Sequence, residues 1–152
     1  MRRVENEDSA HALVEFESGV MGSLVTSRSH WGQKNHLAFE VYGSIGTIAY
    51  DQEKMNELQL FRKGVVASPE SGFTRILAGP EHPHYGRFTP ARGAGIGYND
   101  LKAIEVAHFL EGIAGRQKLF PTIPDALRIE RVLHAISRSA AERRWMRVEE
   151  VD

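Results

Sequence analysis

The sequence predicts an α+β fold: a largely antiparallel, open β-sheet of about six or seven strands with helices on one face. Three observations support this prediction. Short strand-like segments follow one another through the first half of the chain without intervening helices. A loop rich in glycine, proline and histidine comes next, over residues 79–97. Beyond it, apolar residues recur at helical spacing in two segments.

The composition excludes several classes of function. The chain has 152 residues, the length of one domain with its own hydrophobic core, and we expect residues 1–152 to form a single domain. A net charge of −1 gives no reason to expect a nucleic-acid or membrane partner. Because cysteine is absent, disulfides, thiolate metal sites and thiol nucleophiles are excluded.

No targeting or membrane segment is predicted. Nothing in the sequence approaches the roughly 20 apolar residues that a membrane-spanning helix needs. Residues 1–8 are first basic and then acidic, without the apolar core of a signal peptide. We therefore expect a cytoplasmic protein.

The predicted strands are bounded by turn signals. Residues 10–16 alternate and end at Ser18-Gly19, which predicts a hairpin with a second strand over 20–28. In residues 35–51, two runs of aromatic and β-branched residues flank Gly43-Ser44-Ile45-Gly46, which predicts another hairpin. The full set of predicted strands is 10–16, 20–28, 36–42, 47–51, 57–62, 73–78 and a short last strand over 145–148.

Both faces of the predicted sheet carry apolar residues. Strand 36–42 places Phe39 and Val41 on one face, but Ala38 and Tyr42 on the other. Two helices can cover only one face, so the second face needs another partner, either a second subunit or another domain. A homodimer through the open sheet face follows as a hypothesis.

Two helices follow the loop. The first begins near Asn99 and ends at Gly115, and either Asn99 or Asp100 can cap it. The second begins after Thr122, a plausible cap, with Pro124 in its first turn. Its apolar stripe consists of Ile129, Val132, Leu133, Ile136 and Ala140.

The hairpin over residues 35–51 also carries a family resemblance. Its Phe39-Glu40-Val41-Tyr42-Gly43 segment resembles the C-terminal domain of the glucose–fructose oxidoreductase / inositol dehydrogenase / rhizopine-catabolism (Gfo/Idh/MocA) family. This implies an open-faced sheet of the dihydrodipicolinate-reductase or glyceraldehyde-3-phosphate-dehydrogenase type. Further segments resemble the family in the same order: residues 7–19, 79–83, 97–102, 124–129 and 131–136.

The resemblance implies a role but no catalytic residue. It implies the C-terminal substrate-binding and oligomerisation domain of an NAD(P)-dependent oxidoreductase that acts on a sugar, inositol or related polyol. The family's Rossmann domain, which binds NAD or NADP, and its catalytic lysine in a Glu-Lys-Pro segment would precede residue 1. Here Glu53-Lys54 is followed by Met55. We therefore expect this domain to bind no cofactor and the chain alone to be inactive.

Two other functions remain open. A stand-alone, non-catalytic dimerisation or ligand-binding module would need no Rossmann partner. A small lyase or isomerase that uses His82 or His84 as its base would be active without nicotinamide.

The glycines before the first helix do not form a dinucleotide-binding fingerprint. That fingerprint needs the spacing G-x-G-x-x-G after a buried strand. In Gly93-Ala94-Gly95-Ile96-Gly97 the third glycine falls one residue early, and Tyr98 takes its place. We interpret the segment as a loop that leads into a capped helix.

The loop over residues 79–97 supplies the first group of candidate substrate-binding residues. His82, His84 and Tyr85 offer two imidazoles and a phenol, groups that suit hydroxyl recognition on a long loop. A metal site needs a third or fourth ligand, and Glu81 is the only candidate close in sequence, so no metal is predicted. An ordered loop that packs on the sheet or on a neighbouring subunit is the alternative.

A second group follows the second strand. Arg28, Trp31 and Asn35, with His30 and His36 beside them, combine an aromatic ring with hydrogen-bond donors. Such a set could hold a polyol. Trp31 could equally fill a dimer interface, and the sequence does not distinguish the two.

Overall fold

The computed structural model describes residues 6–64 and 71–151. Contacts divide the chain into two compact units: Met1–Gly32 together with Leu119–Asp152, and Gln33–Lys118. The single-domain assignment stays a prediction. Residues 1–5, part of the stretch 1–8 in which no signal peptide is predicted, lie outside the described part. Within that part, neither helix is both long and apolar enough to cross a membrane.

The described elements are six strands, two helices and three short 3-10 turns. The 3-10 turns are Gln52–Lys54, Tyr85–Arg87 and Val148–Glu150. The strands and helices are β1 (Ser9–Glu15), β2 (Met21–Ser27), β3 (Ala38–Tyr42), β4 (Gly46–Asp51), β5 (Glu57–Arg62), β6 (Thr74–Leu77), α1 (Tyr98–Ile113) and α2 (Ile123–Glu142).

The first unit contains the predicted β1–β2 hairpin, which is confirmed. The strands are antiparallel, and the Phe16 N–H donates to the Val20 carbonyl at 2.9 Å to close the turn. Gly19 has φ +77°, a backbone conformation that glycine adopts without steric cost. Ser18-Gly19 therefore marks the turn correctly.

The prediction of six or seven strands in one sheet is wrong. The described strands form a two-stranded sheet, β1–β2, and a four-stranded antiparallel sheet in the order β3–β4–β5–β6. The two ends of the connection from β2 to β3 are bonded to different hairpins. The Arg28 N–H donates to the Asp8 carbonyl, next to the β1–β2 hairpin, and the Gln52 N–H donates to the Leu37 carbonyl, next to the β3–β4 hairpin. The Arg28 N–H and the Leu37 carbonyl are thus each paired within their own hairpin.

The predicted strand over residues 145–148 is also absent from the described structure. Residues 145–147 are irregular, and a 3-10 turn follows at Val148–Glu150. Ion pairs hold this segment to the end of α2, because Arg144 contacts the carboxylates of Glu142 at 2.8 Å and Glu150 at 3.0 Å. The Arg147 N–H donates to the Glu150 carboxylate and not to a neighbouring strand.

The register of the four-stranded sheet separates an apolar face from a more polar one, which still carries Ala38, Tyr42 and Phe61. The pairs Phe39–Tyr50 and Val41–Ile48 lie on one face, and Glu40–Ala49 lies on the other. The apolar face, as we name it here, consists of Phe39, Val41, Ile48, Tyr50, Leu58, Leu60 and Ile76. Phe39 is 49% exposed, Val41 57% and Ile48 39%, so this face is largely open at β3 and β4.

The helix starts differ in detail from the prediction. The N-cap of α1 is Gly97, and Asp100 acts from the first turn by accepting the Gly97 N–H at 2.7 Å. Thr122 is the N-cap of α2, as predicted. The Asp125 carboxylate accepts both the backbone N–H and the hydroxyl of Thr122, at 2.9 Å and 2.6 Å.

Candidate functional site

The loop over residues 79–97, which we call the histidine loop, begins with a tight turn that orients His82. The His82 N–H donates to the Gly79 carbonyl at 2.9 Å, and the Gly79 N–H donates to His82 Nδ1 at 3.0 Å. Because Nδ1 is the acceptor, the neutral imidazole carries its proton on Nε2. The ring therefore presents an N–H donor on the side away from the turn.

Asn56, just before β5, holds the histidine loop at two distant points. Its Oδ1 accepts the Tyr85 hydroxyl at 3.0 Å and the Ile96 N–H at 2.9 Å. Its Nδ2 donates to the Ile96 carbonyl at 3.1 Å. Ile96 is one of the few buried apolar residues of the described chain, so these bonds satisfy backbone groups that water does not reach freely.

The phenol of Tyr85 is kept in its protonated, donating form. Burial raises the pKa of Tyr85 above its ordinary value, and the nearby Tyr50 raises it further. Tyr85 also packs edge-on against the ring of His82, with centroids 6.4 Å apart. The Tyr85 ring is thus held beside the His82 ring, and the Tyr85 hydroxyl is already hydrogen-bonded to Asn56.

His84 is held in an unusual backbone conformation. Its φ is +71° and its ψ −30°, outside the regions that a non-glycine residue commonly adopts. Its ring meets His108 of α1 in a T-shaped arrangement with centroids 4.8 Å apart. Such strain costs of order 1–3 kcal/mol and is typical of functional positions. The structure therefore places the His82 ring against Tyr85 and the His84 ring against His108.

The second group of sequence-predicted residues is divided between the two units. Arg28 and Trp31 belong to the first unit and Asn35 to the second. Trp31 is 98% exposed, and both Arg28 and Asn35 are exposed as well. Arg28 contributes its backbone N–H to Asp8, and the Asn35 carbonyl accepts from Gln52 Nε2 at 3.3 Å. Their proposed substrate role rests on the sequence alone.

The second unit has a small pocket beside the histidine loop. A pocket of about 170 Å³ is lined by Asn56, Leu77 and the glycine segment of the loop. Pockets for small molecules typically measure roughly 300–1,000 Å³. The pocket is therefore smaller than a typical complete ligand site.

The helix N-termini of the described chain do not suit a dinucleotide cofactor. A pyrophosphate needs free N–H groups and positive potential at a helix start. Asp100 already accepts the Gly97 N–H at α1, and Asp125 the Thr122 N–H at α2, so a carboxylate lies at each start. The negative charges of these two residues oppose anion binding there.

Two residues of the site were not identified from the sequence. Asn56 lies 40 residues from its partner Ile96, and His108 lies on α1, 24 residues after His84. An asparagine between two strand segments is an ordinary turn signal, so the sequence offers no indication of its second role. Only the folded chain brings these residues to the histidine loop.

Comparison with known proteins identifies relatives over nearly the whole chain. Residues 1–148 match the family model described as "Oxidoreductase family, C-terminal alpha/beta domain". Levoglucosan dehydrogenase from Pseudarthrobacter phenanthrenivorans is 30% identical over 151 residues, which cover 97% of this chain.

Solved structures agree in fold. Levoglucosan dehydrogenase in complex with NADH and levoglucosan superposes with a TM-score of 0.86 at 31% identity, over 92% of this chain and 38% of that one. An NAD-binding oxidoreductase from Klebsiella pneumoniae gives a TM-score of 0.86 at 38% identity, over 97% of this chain and 39% of that one. The chain thus spans about 38% of the length of the curated relative it matches.

Proposed function

The chain belongs to the Gfo/Idh/MocA oxidoreductase family, whose C-terminal alpha/beta domain it matches, and from this membership we propose its function. It is the substrate-binding and oligomerisation domain of an NAD(P)-dependent oxidoreductase that acts on a sugar, inositol or related polyol. One observation carries this proposal: the chain matches, along nearly its whole length, a sugar dehydrogenase whose structure holds NADH and levoglucosan. The relative with NADH favours NAD(H) for the enzyme that contains this domain. A cytoplasmic location remains a prediction.

The histidine loop supplies the proposed contacts to substrate. His82 Nε2–H would donate to a sugar hydroxyl, because Nδ1 is already bonded to the Gly79 N–H. His84 would present the second imidazole, and Tyr85 would fix the loop through Asn56. Their work is orientation, since in this class of enzyme the cofactor carries the hydride.

A substitution at His82 tests this role sharply. In His82→Asn, Oδ1 replaces Nδ1 as the acceptor of the Gly79 N–H, and the outward Nε2–H is lost. We expect KM for the polyol to rise about tenfold with kcat nearly unchanged, the size of one lost hydrogen bond. The measurement is NAD⁺ or NADP⁺ reduction by the intact dehydrogenase that contains this domain, over a panel of sugars, anhydrosugars and inositols.

His11→Asn is the matched control, because His11 lies on β1, outside the histidine loop. An unchanged KM in His82→Asn would remove His82 from the substrate site. Absence of any nicotinamide-dependent turnover, together with polyol binding to the chain, would favour the stand-alone binding module instead. Turnover of a polyol without nicotinamide would point to the lyase or isomerase.

A further inference from the structure

A histidine and two carboxylates converge at the end of β4, away from the histidine loop. One donor atom each from His36, Asp51 and Glu53 lies within 4.8 Å of the other two, and His36 Nδ1 is 3.5 Å from Asp51 Oδ1. The β3–β4 hairpin explains the meeting: beyond the Ala38–Asp51 pair the Gln52 N–H donates to the Leu37 carbonyl, which keeps the segments that carry His36 and Glu53 side by side. We propose that these three residues form a binding site for a divalent first-row transition-metal ion such as Zn²⁺.

The distances suit such an ion after small side-chain rotations. Ligand bonds of about 2.1 Å at tetrahedral angles place donor atoms about 3.4 Å apart. The His36–Asp51 separation of 3.5 Å already meets this requirement. Glu53 is exposed, so its carboxylate can approach by the remaining distance without disturbing a packed core.

Both carboxylates are oriented by backbone N–H groups. The Glu53 N–H donates to Asp51 Oδ1 at 2.9 Å, and the Lys34 N–H donates to Glu53 Oε1 at 2.6 Å. The Glu53 carboxylate therefore keeps its second oxygen for a metal. Asp51 Oδ1, the atom 3.5 Å from His36 Nδ1, accepts one N–H and has a second lone pair for the ion. Hydrogen bonds of this kind orient metal ligands and strengthen metal binding.

His36 and Asp51 also line a pocket whose charge favours a cation. It measures about 330 Å³, and its lining carries the carboxylates of Glu40, Asp51 and Glu57 against the single ammonium of Lys54. The surplus of negative charge favours a cation there. One nitrogen and two oxygen ligands suit Zn²⁺ and its neighbours, and three protein ligands leave a position for water or a small ligand in the pocket.

Titration of the tag-free chain with Zn²⁺ by isothermal calorimetry tests the site. We expect one saturable site whose Kd rises at least tenfold in His36→Gln and in Asp51→Asn, the latter of which keeps an oxygen to accept the Glu53 N–H. His30→Gln is the matched control, a neighbouring exposed histidine outside the cluster, and its Kd should equal that of the original chain.

Two results would overturn the proposal. One is the absence of saturable Zn²⁺ binding, and the other is an unchanged Kd in His36→Gln. In the second case, a Kd that responds to His108→Gln would assign the ion to the His84–His108 pair. Far-UV circular dichroism of each variant verifies that lost binding does not reflect lost structure. The test is independent of dehydrogenase activity, so it stands or fails apart from the function proposed above.

Discussion

A single amide, that of Asn56, orders much of the histidine loop. It satisfies the Tyr85 hydroxyl and both backbone groups of Ile96, and the Asn56 carbonyl itself accepts the Ala78 N–H at 2.9 Å. A Cβ added at Gly95 would lie 2.5 Å from Asn56 Nδ2, which shows how closely the loop backbone approaches this side chain. The loop is therefore positioned by hydrogen bonds and not by a large apolar contact.

Asn56→Ala should destabilise the chain and release the loop. The Tyr85 hydroxyl and the Ile96 N–H and carbonyl would lose their partners, and a buried unsatisfied group costs about 1–3 kcal/mol. We expect the free energy of unfolding in urea to fall by that amount. Asn35→Ala is the matched control, because Asn35 is exposed and only its carbonyl is bonded. Equal stability of the two variants would contradict the assigned role of Asn56.

At the scale of single residues, the sequence identified the candidate substrate-binding residues but not the residues that hold them in place. His82, His84 and Tyr85 were recognised from their own chemistry, since imidazole and phenol groups bind hydroxyls wherever they lie. Asn56 and His108 matter only through contacts with residues far away in the chain. No local pattern encodes such contacts, so they could not be predicted.

The helices illustrate how the first turn of an element is stabilised. At α2 the Asp125 carboxylate accepts two hydrogen bonds from Thr122 and contacts Arg128 at 3.0 Å. These bonds lower the pKa of Asp125, the Thr122 hydroxyl having the largest effect and its backbone N–H the next. The negative charge also lies at the positive end of the helix dipole.

The lowered pKa of Asp125 makes part of the stability dependent on pH. Because the folded-state pKa lies below the unfolded value of about 3.9, this contribution is present above that pH. The contribution is lost as the pH falls below about 3.9 toward the lower folded-state pKa. In Asp125→Asn the thermal midpoint should therefore lie below that of the original chain at neutral pH, and the difference should shrink on acidification.

The measurement is a series of thermal unfolding curves between neutral pH and about pH 3, just below the unfolded pKa of an aspartate. Glu17→Gln serves as the control, since Glu17 is an exposed carboxyl in the β1–β2 turn. A difference between Asp125→Asn and the original chain that stays constant over this range would show that the capping carboxylate does not titrate as described.

At the scale of the element, local sequence signals predicted which strands and helices exist. They were less accurate about where these elements end and what they pair with. Glycine turns and alternation predicted both hairpins, because a two-residue period and a tight turn are properties of neighbouring residues. The segment 145–148 resembled a strand by composition. Its strand assignment failed because Arg144 and Glu150 bind one another and α2.

At the scale of the whole molecule, the open apolar face carries the proposal of a homodimer. Each described unit buries few apolar side chains completely: Ile96 in the second, Ala135 and Val151 in the first. The apolar face of the four-stranded sheet remains half-exposed along β3. Exposed apolar surfaces of this kind mark interaction sites, and a second copy of the same face is a self-complementary partner.

Val41→Lys tests the dimer. Val41 lies on the apolar face and is 57% exposed, so a buried ammonium at the interface would cost several kcal/mol while the free chain tolerates it. We expect light scattering over a dilution series to give a dimer for the original chain and a monomer for Val41→Lys. Glu40→Lys, one residue along β3 on the more polar face, should remain a dimer. A monomeric original chain would show that the apolar face is not an interface between copies.

The sequence by itself determined the class of fold, the hairpins, both helices, the family and the residue types of the candidate site. All of these depend on local periodicity, turn chemistry and motif order, which neighbouring residues encode. Only the tertiary structure decided that the strands form two sheets, that Asn56 holds the histidine loop, and that His36 meets Asp51 and Glu53. These features depend on which distant backbone and side-chain groups satisfy one another's hydrogen bonds, and that choice is made when the chain folds.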